Sequence, residues 1–252
     1  MGFIPIHDTN PLRNITRPYV AWTLIAANVV IFLASGGYGG GPGEVPVLAF
    51  GLIPAVFNNL APTPVAVAVP DALTLITYSF LHGDVWHLAG NMVFLWVLAD
   101  NVEDALGHIR YLAFYLICAM VAGYAYVLTE PTSHSPVIGA SGAVAGNIAA
   151  YLMLHPRAKM WVLVFARIPI RLSAMYVLGI WVAFQLFALI GGGDEEIAWW
   201  SHVGGLVAGA VLIVFLRKRG VTLFDRGAPR TAPAAGPPSP PLPPAPDGGP
   251  WR

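Results

Sequence analysis

Charged side chains are scarce in this chain: 13 Lys plus Arg and 13 Asp plus Glu make up 10% of 252 residues and cancel to a formal net charge of zero. A soluble core of this size would need more charge to cover it, so a soluble globular domain is excluded. No basic cluster is interleaved with aromatics, which argues against nucleic acid as a partner. The single cysteine, Cys118, rules out an intrachain disulfide and any cysteine-built zinc site. The N-terminus carries no Arg/Ser-rich presequence, which favours a bacterial plasma membrane over a mitochondrion.

What fills the chain is apolar. Hydrophobic residues make up 56% of it and the mean hydropathy is +0.66, as expected of an integral membrane protein in contact with the lipid bilayer. Six runs are candidate spans: 19–35, 85–99, 111–128, 141–154, 174–190 and 199–216. The expected fold class is therefore all-α and polytopic. Between the first two runs, residues 36–84 hold apolar patches that prolines 46, 54, 62, 64 and 70 break before any could span, so a large, partly embedded loop is expected. The predicted organisation is a cytoplasmic tail over 1–18, a six-span bundle over 19–216 and a Pro/Ala/Gly-rich disordered tail over 217–252.

Charge sorts the connections. Every Lys and Arg falls at 13, 17, 110, 157, 159, 167, 171 or from 217 onward. The first, third and fifth connections carry only Glu44, Asp71, Asp84, Glu130, Asp194, Glu195 and Glu196. The positive-inside rule then puts both termini in the cytoplasm.

One stretch organises the rest: Gly139-Ala140-Ser141-Gly142-Ala143-Val144-Ala145-Gly146. The run it opens ends near His155-Pro156 and, at ~1.5 Å per residue, covers about 20 Å of a ~30 Å hydrocarbon core. One end must stop inside the membrane. Arg157 and Lys159 hold the far end at an aqueous face, which sinks Ser141 below the outer surface. Two explanations fit the motif alone. Gly142 and Gly146 have the spacing of close helix packing, where serine is common, and a buried hydroxyl at a helix start can also do chemistry.

The second run carries His82, His87 and Asn91 near its outer end. His87 and Asn91 lie four apart on one helix face, serving either an interhelical hydrogen bond or a site. A bis-histidine metal site is disfavoured, because His82 and His87 are five apart and so not on one helix face. Asp100, Glu103 and Asp104 mark the inner end as structural anchors, with Arg110 as the available partner. The sixth run opens Trp199-Trp200-Ser201-His202, placing His202 at a depth like that of Ser141. Gly205 and Gly209 match the Gly142/Gly146 strip, so the two helices can touch backbone to backbone.

Together these features resemble the rhomboid family of intramembrane serine proteases. The resemblance rests on Gly139-x-Ser141-Gly142, on His202-x-x-Gly205-x-x-x-Gly209 and on His82-x-x-x-x-His87-x-x-x-Asn91, in that family's order across roughly 19–216. It implies cleavage of membrane-anchored proteins within or beside their transmembrane helix. It also implies a Ser141–His202 dyad, with His87, Asn91 and the Ser141 backbone N–H holding the oxyanion. Two departures stand out: Leu73-Thr74 replace the Trp-Arg pair some members carry, and Ala145 stands where some have a tyrosine packed on the histidine.

The chemistry also follows from the residues themselves. A serine hydroxyl needs a base, and His202 is the base at matching depth. No Asp or Glu lies in the fourth or sixth run, so a dyad without a carboxylate is expected, and no cofactor or metal. Two rival readings are a catalytically silent rhomboid-like binding factor and a small transporter. The first would usually have lost Ser141 or His202; the second would show an internal repeat or an intramembrane carboxylate.

Overall fold

A computed structural model of the chain describes residues 3–64, 66, 68–164, 167–191 and 198–225. The elements in order are β1 (Phe3–Asp8), α1 (Tyr19–Ala34), α2 (Glu44–Phe50), α3 (Pro54–Phe57), α4 (Asp71–Thr77), α5 (Val85–Leu106), α6 (His108–Thr129), α7 (Ser141–Leu154), β2 (Lys159–Val164), β3 (Ile168–Ser173), α8 (Ala174–Ile190) and α9 (Trp199–Leu216). The fold is mostly helical, but not all-α. Helices α6 and α9, of 22 and 18 residues, are long and apolar enough to cross a membrane, whereas α1, α7 and α8 are apolar but shorter.

Helix α7 lies at the centre. Every residue from Gly142 to Tyr151 is buried, so this helix is wrapped by protein on all sides. Missing side chains make that possible. A β-carbon on Gly205 would lie 1.9 Å from the Gly142 carbonyl oxygen, and one on Gly209 would lie 2.1 Å from that of Gly146. The α7 glycines serve a different neighbour. A β-carbon on Gly142 would meet Ala122 at 2.4 Å, and one on Gly146 would meet Cys118 at 2.6 Å, both on α6. Small residues thus bring α6, α7 and α9 into backbone range, as close packing in membranes requires.

Helix α5 continues past the expected end at residue 99, because its carboxylates find partners in the N-terminal segment. Asp104 accepts hydrogen bonds from the backbone N–H groups of Arg13, Asn14 and Ile15 at 2.6–3.0 Å. Glu103 accepts from Val20 and Ala21, capping two N–H groups that the start of α1 leaves unpaired. Arg110 is not their partner; it donates to the Leu216 carbonyl.

Two expectations need correction. The segment 1–18 is not merely a polar tail: β1 pairs antiparallel with β2, which pairs with β3, in a three-stranded sheet. Pro5, lacking an N–H, is tolerated because β1 is an edge strand, and the register shifts between Pro5 and His7. Buried Asp8 pins the strand by accepting from Asn101 at 2.9 Å and from the Tyr151 hydroxyl. The disordered tail does not begin at 217 either. Lys218, Phe224 and Asp225 donate backbone hydrogen bonds to Ala105, Met153 and Leu154, while Val221 and Leu223 pack on the core. The acidic trio 194–196 and the tail from 226 lie outside the described residues.

Candidate active site

The site is built where the long first loop clamps the turn before α7. Leu52 and Val137 form a two-way backbone bridge at 3.1 and 2.8 Å, and the Gly139 N–H donates to the Tyr78 carbonyl at 3.0 Å. The Tyr78 hydroxyl donates to the Ala119 carbonyl of α6 at 2.9 Å. The loop is held here through Leu52 and Tyr78 rather than through a Trp-Arg pair at 73–74. Gly139, at φ +125°, adopts the left-handed conformation that a side chain would strain, and the chain turns there into α7.

Ser141 is the first residue of α7. The first N–H groups of a helix lack intrahelical partners and lie at the positive end of its dipole, so an anion beside Ser141 would be favoured. From α9, His202 reaches across with Nε2 2.9 Å from the Ser141 Oγ. That distance is a hydrogen bond in which the hydroxyl can donate to an unprotonated nitrogen. His202 is only 8% exposed, so solvent competes little for this contact.

The imidazole is held on its other side as well. Its Nδ1 lies 2.8 Å from Oε1 of Gln185, a buried side chain of α8. The rings of Trp181 and Trp199 each centre 6.0 Å from it, one tilted and one edge-on. These aromatics take the place beside the histidine that Ala145 cannot fill. Neither Gln185 nor Trp181 was legible as a site residue. The available signal was that Gln185 is the one hydrogen-bonding amide in the apolar run Ala174–Ile190.

Of the two α5 side chains expected here, His87 is the one that borders Ser141. A β-carbon on Gly139 would lie 2.7 Å from the His87 Cε1 and Nε2 atoms and 3.8 Å from the Ser141 Oγ, so His87 and Ser141 flank one small space. Asn91 is buried behind, donating one amide hydrogen to the His87 carbonyl at 3.2 Å. His82 stacks edge-on against His87 at 5.2 Å and accepts from the Ala140 N–H at 3.4 Å, bracing the turn into Ser141.

A Rhomboid domain model matches residues 70–219, more than half of the chain and all of the elements that meet at Ser141. The chain belongs to the rhomboid family. Among rhomboid relatives it is similar to RHOMBOID-like protein 12, mitochondrial, of Arabidopsis thaliana, at 29% identity over 58% of this chain and 46% of that one. It is similar to Rhomboid protein 1, mitochondrial, of Saccharomyces cerevisiae, at 28% over 60% and 43%. A third is the Rhomboid protease GluP of Bacillus subtilis, at 27% over 77% and 34%. The chain thus spans under half the length of each of these rhomboids. The mitochondrial names lend no support to a bacterial plasma membrane as the location. Rhomboid membership and the apolar helices together make this a membrane protein.

Proposed function

We propose that this rhomboid is an intramembrane serine endopeptidase that cleaves membrane-anchored proteins within or next to their transmembrane helix. The observation that carries the proposal is the 2.9 Å contact between the Ser141 Oγ and the His202 Nε2 at the half-buried start of α7.

In this reading α1, α5, α6, α7, α8 and α9 are six spans with both termini in the cytoplasm. The shortness of α7 leaves Ser141 sunk below the outer face. His202 takes the hydroxyl proton as the Ser141 Oγ bonds to the scissile carbonyl carbon, and the carbonyl π electrons move onto oxygen. The Ser141 N–H, the dipole of α7 and the side chains of His87 and Asn91 stabilise that oxyanion. On collapse the C–N bond breaks and His202 returns the proton to the leaving amine. Water, activated by the same imidazole, then hydrolyses the acyl ester and restores Ser141.

A membrane-anchored reporter co-reconstituted with the full chain tests this reading. Cleavage by the parent, and its loss in Ser141→Ala, is the expected result. A parent that binds the reporter without cleaving it would instead identify a silent binding factor.

A further inference from the structure

We infer that Gln185 is a positioning residue for His202, an uncharged third member that fixes which imidazole nitrogen carries the proton; the inference rests on the Ser141–His202 reading above. An imidazole can act as a base through Nε2 only when its proton sits on Nδ1. Gln185 Oε1, 2.8 Å from Nδ1, is an acceptor for that proton, and it leaves the Nε2 lone pair aimed at the Ser141 Oγ.

The setting makes the contact more than incidental. Gln185 lies in the helix AMYVLGIWVAFQLFALI and yet is 5% exposed, turned inward and away from the surface of the bundle. A polar side chain in such a helix is costly unless its hydrogen bonds are satisfied, and it faces the interior for that reason. Among the described residues, the two aromatic neighbours of the ring cannot substitute for it. Trp181 and Trp199 offer an indole N–H donor and no acceptor. No Asp or Glu occurs in α7, α8 or α9. An amide also orients the ring without burying a charge in an apolar bundle, which a carboxylate would do at greater cost.

The test uses the full chain reconstituted with a membrane-anchored reporter. Gln185→Met keeps length and volume but removes the acceptor; Gln185→Glu keeps an acceptor. Met at 185 should lower kcat by about 10–100-fold with KM unchanged, the loss expected when a buried N–H is left unpaired and the tautomer unfixed. Glu at 185 should recover most of the rate, and fluorophosphonate labelling of Ser141 should follow the same order. Nitrogen NMR of histidine-labelled parent, with His202 assigned by difference against His202→Ala, should show Nδ1 protonated and Nε2 bare. Parental kcat in Gln185→Met, or an Nε2–H tautomer in the parent, would overturn the inference. If Gln185→Met does not fold, the tautomer in the parent decides. Cleavage surviving in Ser141→Ala would sink the dyad itself; loss there with a normal Gln185→Met sinks only the role of Gln185.

Discussion

Gly205 of α9 meets Gly142 of α7 through backbone alone, with room for no β-carbon between them: one built on Gly205 would stand 1.9 Å from the Gly142 oxygen. This contact sets the separation between the helix that begins with Ser141 and the helix that carries His202. Close helix packing and the approach of Ser141 to His202 are therefore not rival explanations of the glycine spacing. The strip brings the two side chains to 2.9 Å.

Gly205→Ala should push α9 off α7, because the atom it meets is backbone and cannot rotate away. Overpacking of this kind costs about 1–3 kcal/mol, and cleavage should fall along with the unfolding temperature in detergent. Gly179→Ala is the control. Nothing lies within 4 Å of the new β-carbon there, so stability should hold or rise by up to about 1 kcal/mol, the helix-propensity gain of Ala over Gly. Equal effects of the two substitutions on unfolding would contradict the contact.

Asn91→Ala removes an amide that sits behind His87. A donor to the transition state should be worth roughly 10²–10³-fold in kcat, with KM little changed. His87→Ala should lower kcat in the same way, and the double variant should lose less than the product of the two if both side chains serve the same oxyanion. If Asn91→Ala alters only protein yield or unfolding temperature, its role is packing.

Asp8 gives the sheet a pH dependence. Burial pushes its carboxyl up to about 6 from an ordinary 3.8, against the opposing hydrogen bond from Tyr151. A folded-state value above the unfolded one means stability present below pH 3.8 and lost as pH rises through about 6. The change amounts to at most about 3 kcal/mol. After correction for intrinsic rates, amide exchange at Thr9, which donates to Lys159, should be more protected at pH 5 than at pH 7. Asp8→Asn should reduce that difference, the remainder coming from half-buried Asp100, which burial and Asp8 likewise push up to about 6. A parent with equal protection at both values would refute it.

Much of this was readable in the chain because apolar runs report their own ends. The expected boundaries of α7, α8 and α9 coincide with the observed Ser141–Leu154, Ala174–Ile190 and Trp199–Leu216. The pairing of Ser141 with His202 followed from matched depth and matched glycines. The sheet did not, since β1 and β2 are six residues each and pair Phe3 with Val164 across most of the chain. Local pattern carries no information about so distant a partner. Nor could the run of α5 past residue 99 be foreseen. Its carboxylates looked like the end of a span until Arg13, Asn14 and Ile15 supplied the N–H groups that let Asp104 be buried. Gln185 was hidden for the converse reason, a single neutral amide in an apolar run whose partner lies on another helix.

The most direct test of the central claim is the mass of the intact protein after exposure to a fluorophosphonate. If His202 activates Ser141, the parent should gain one adduct, mapped to Ser141, and His202→Ala should gain none while unfolding at the parental temperature. Labelling of folded His202→Ala at the parental rate, or a parent that resists the reagent at Ser141, would contradict the account.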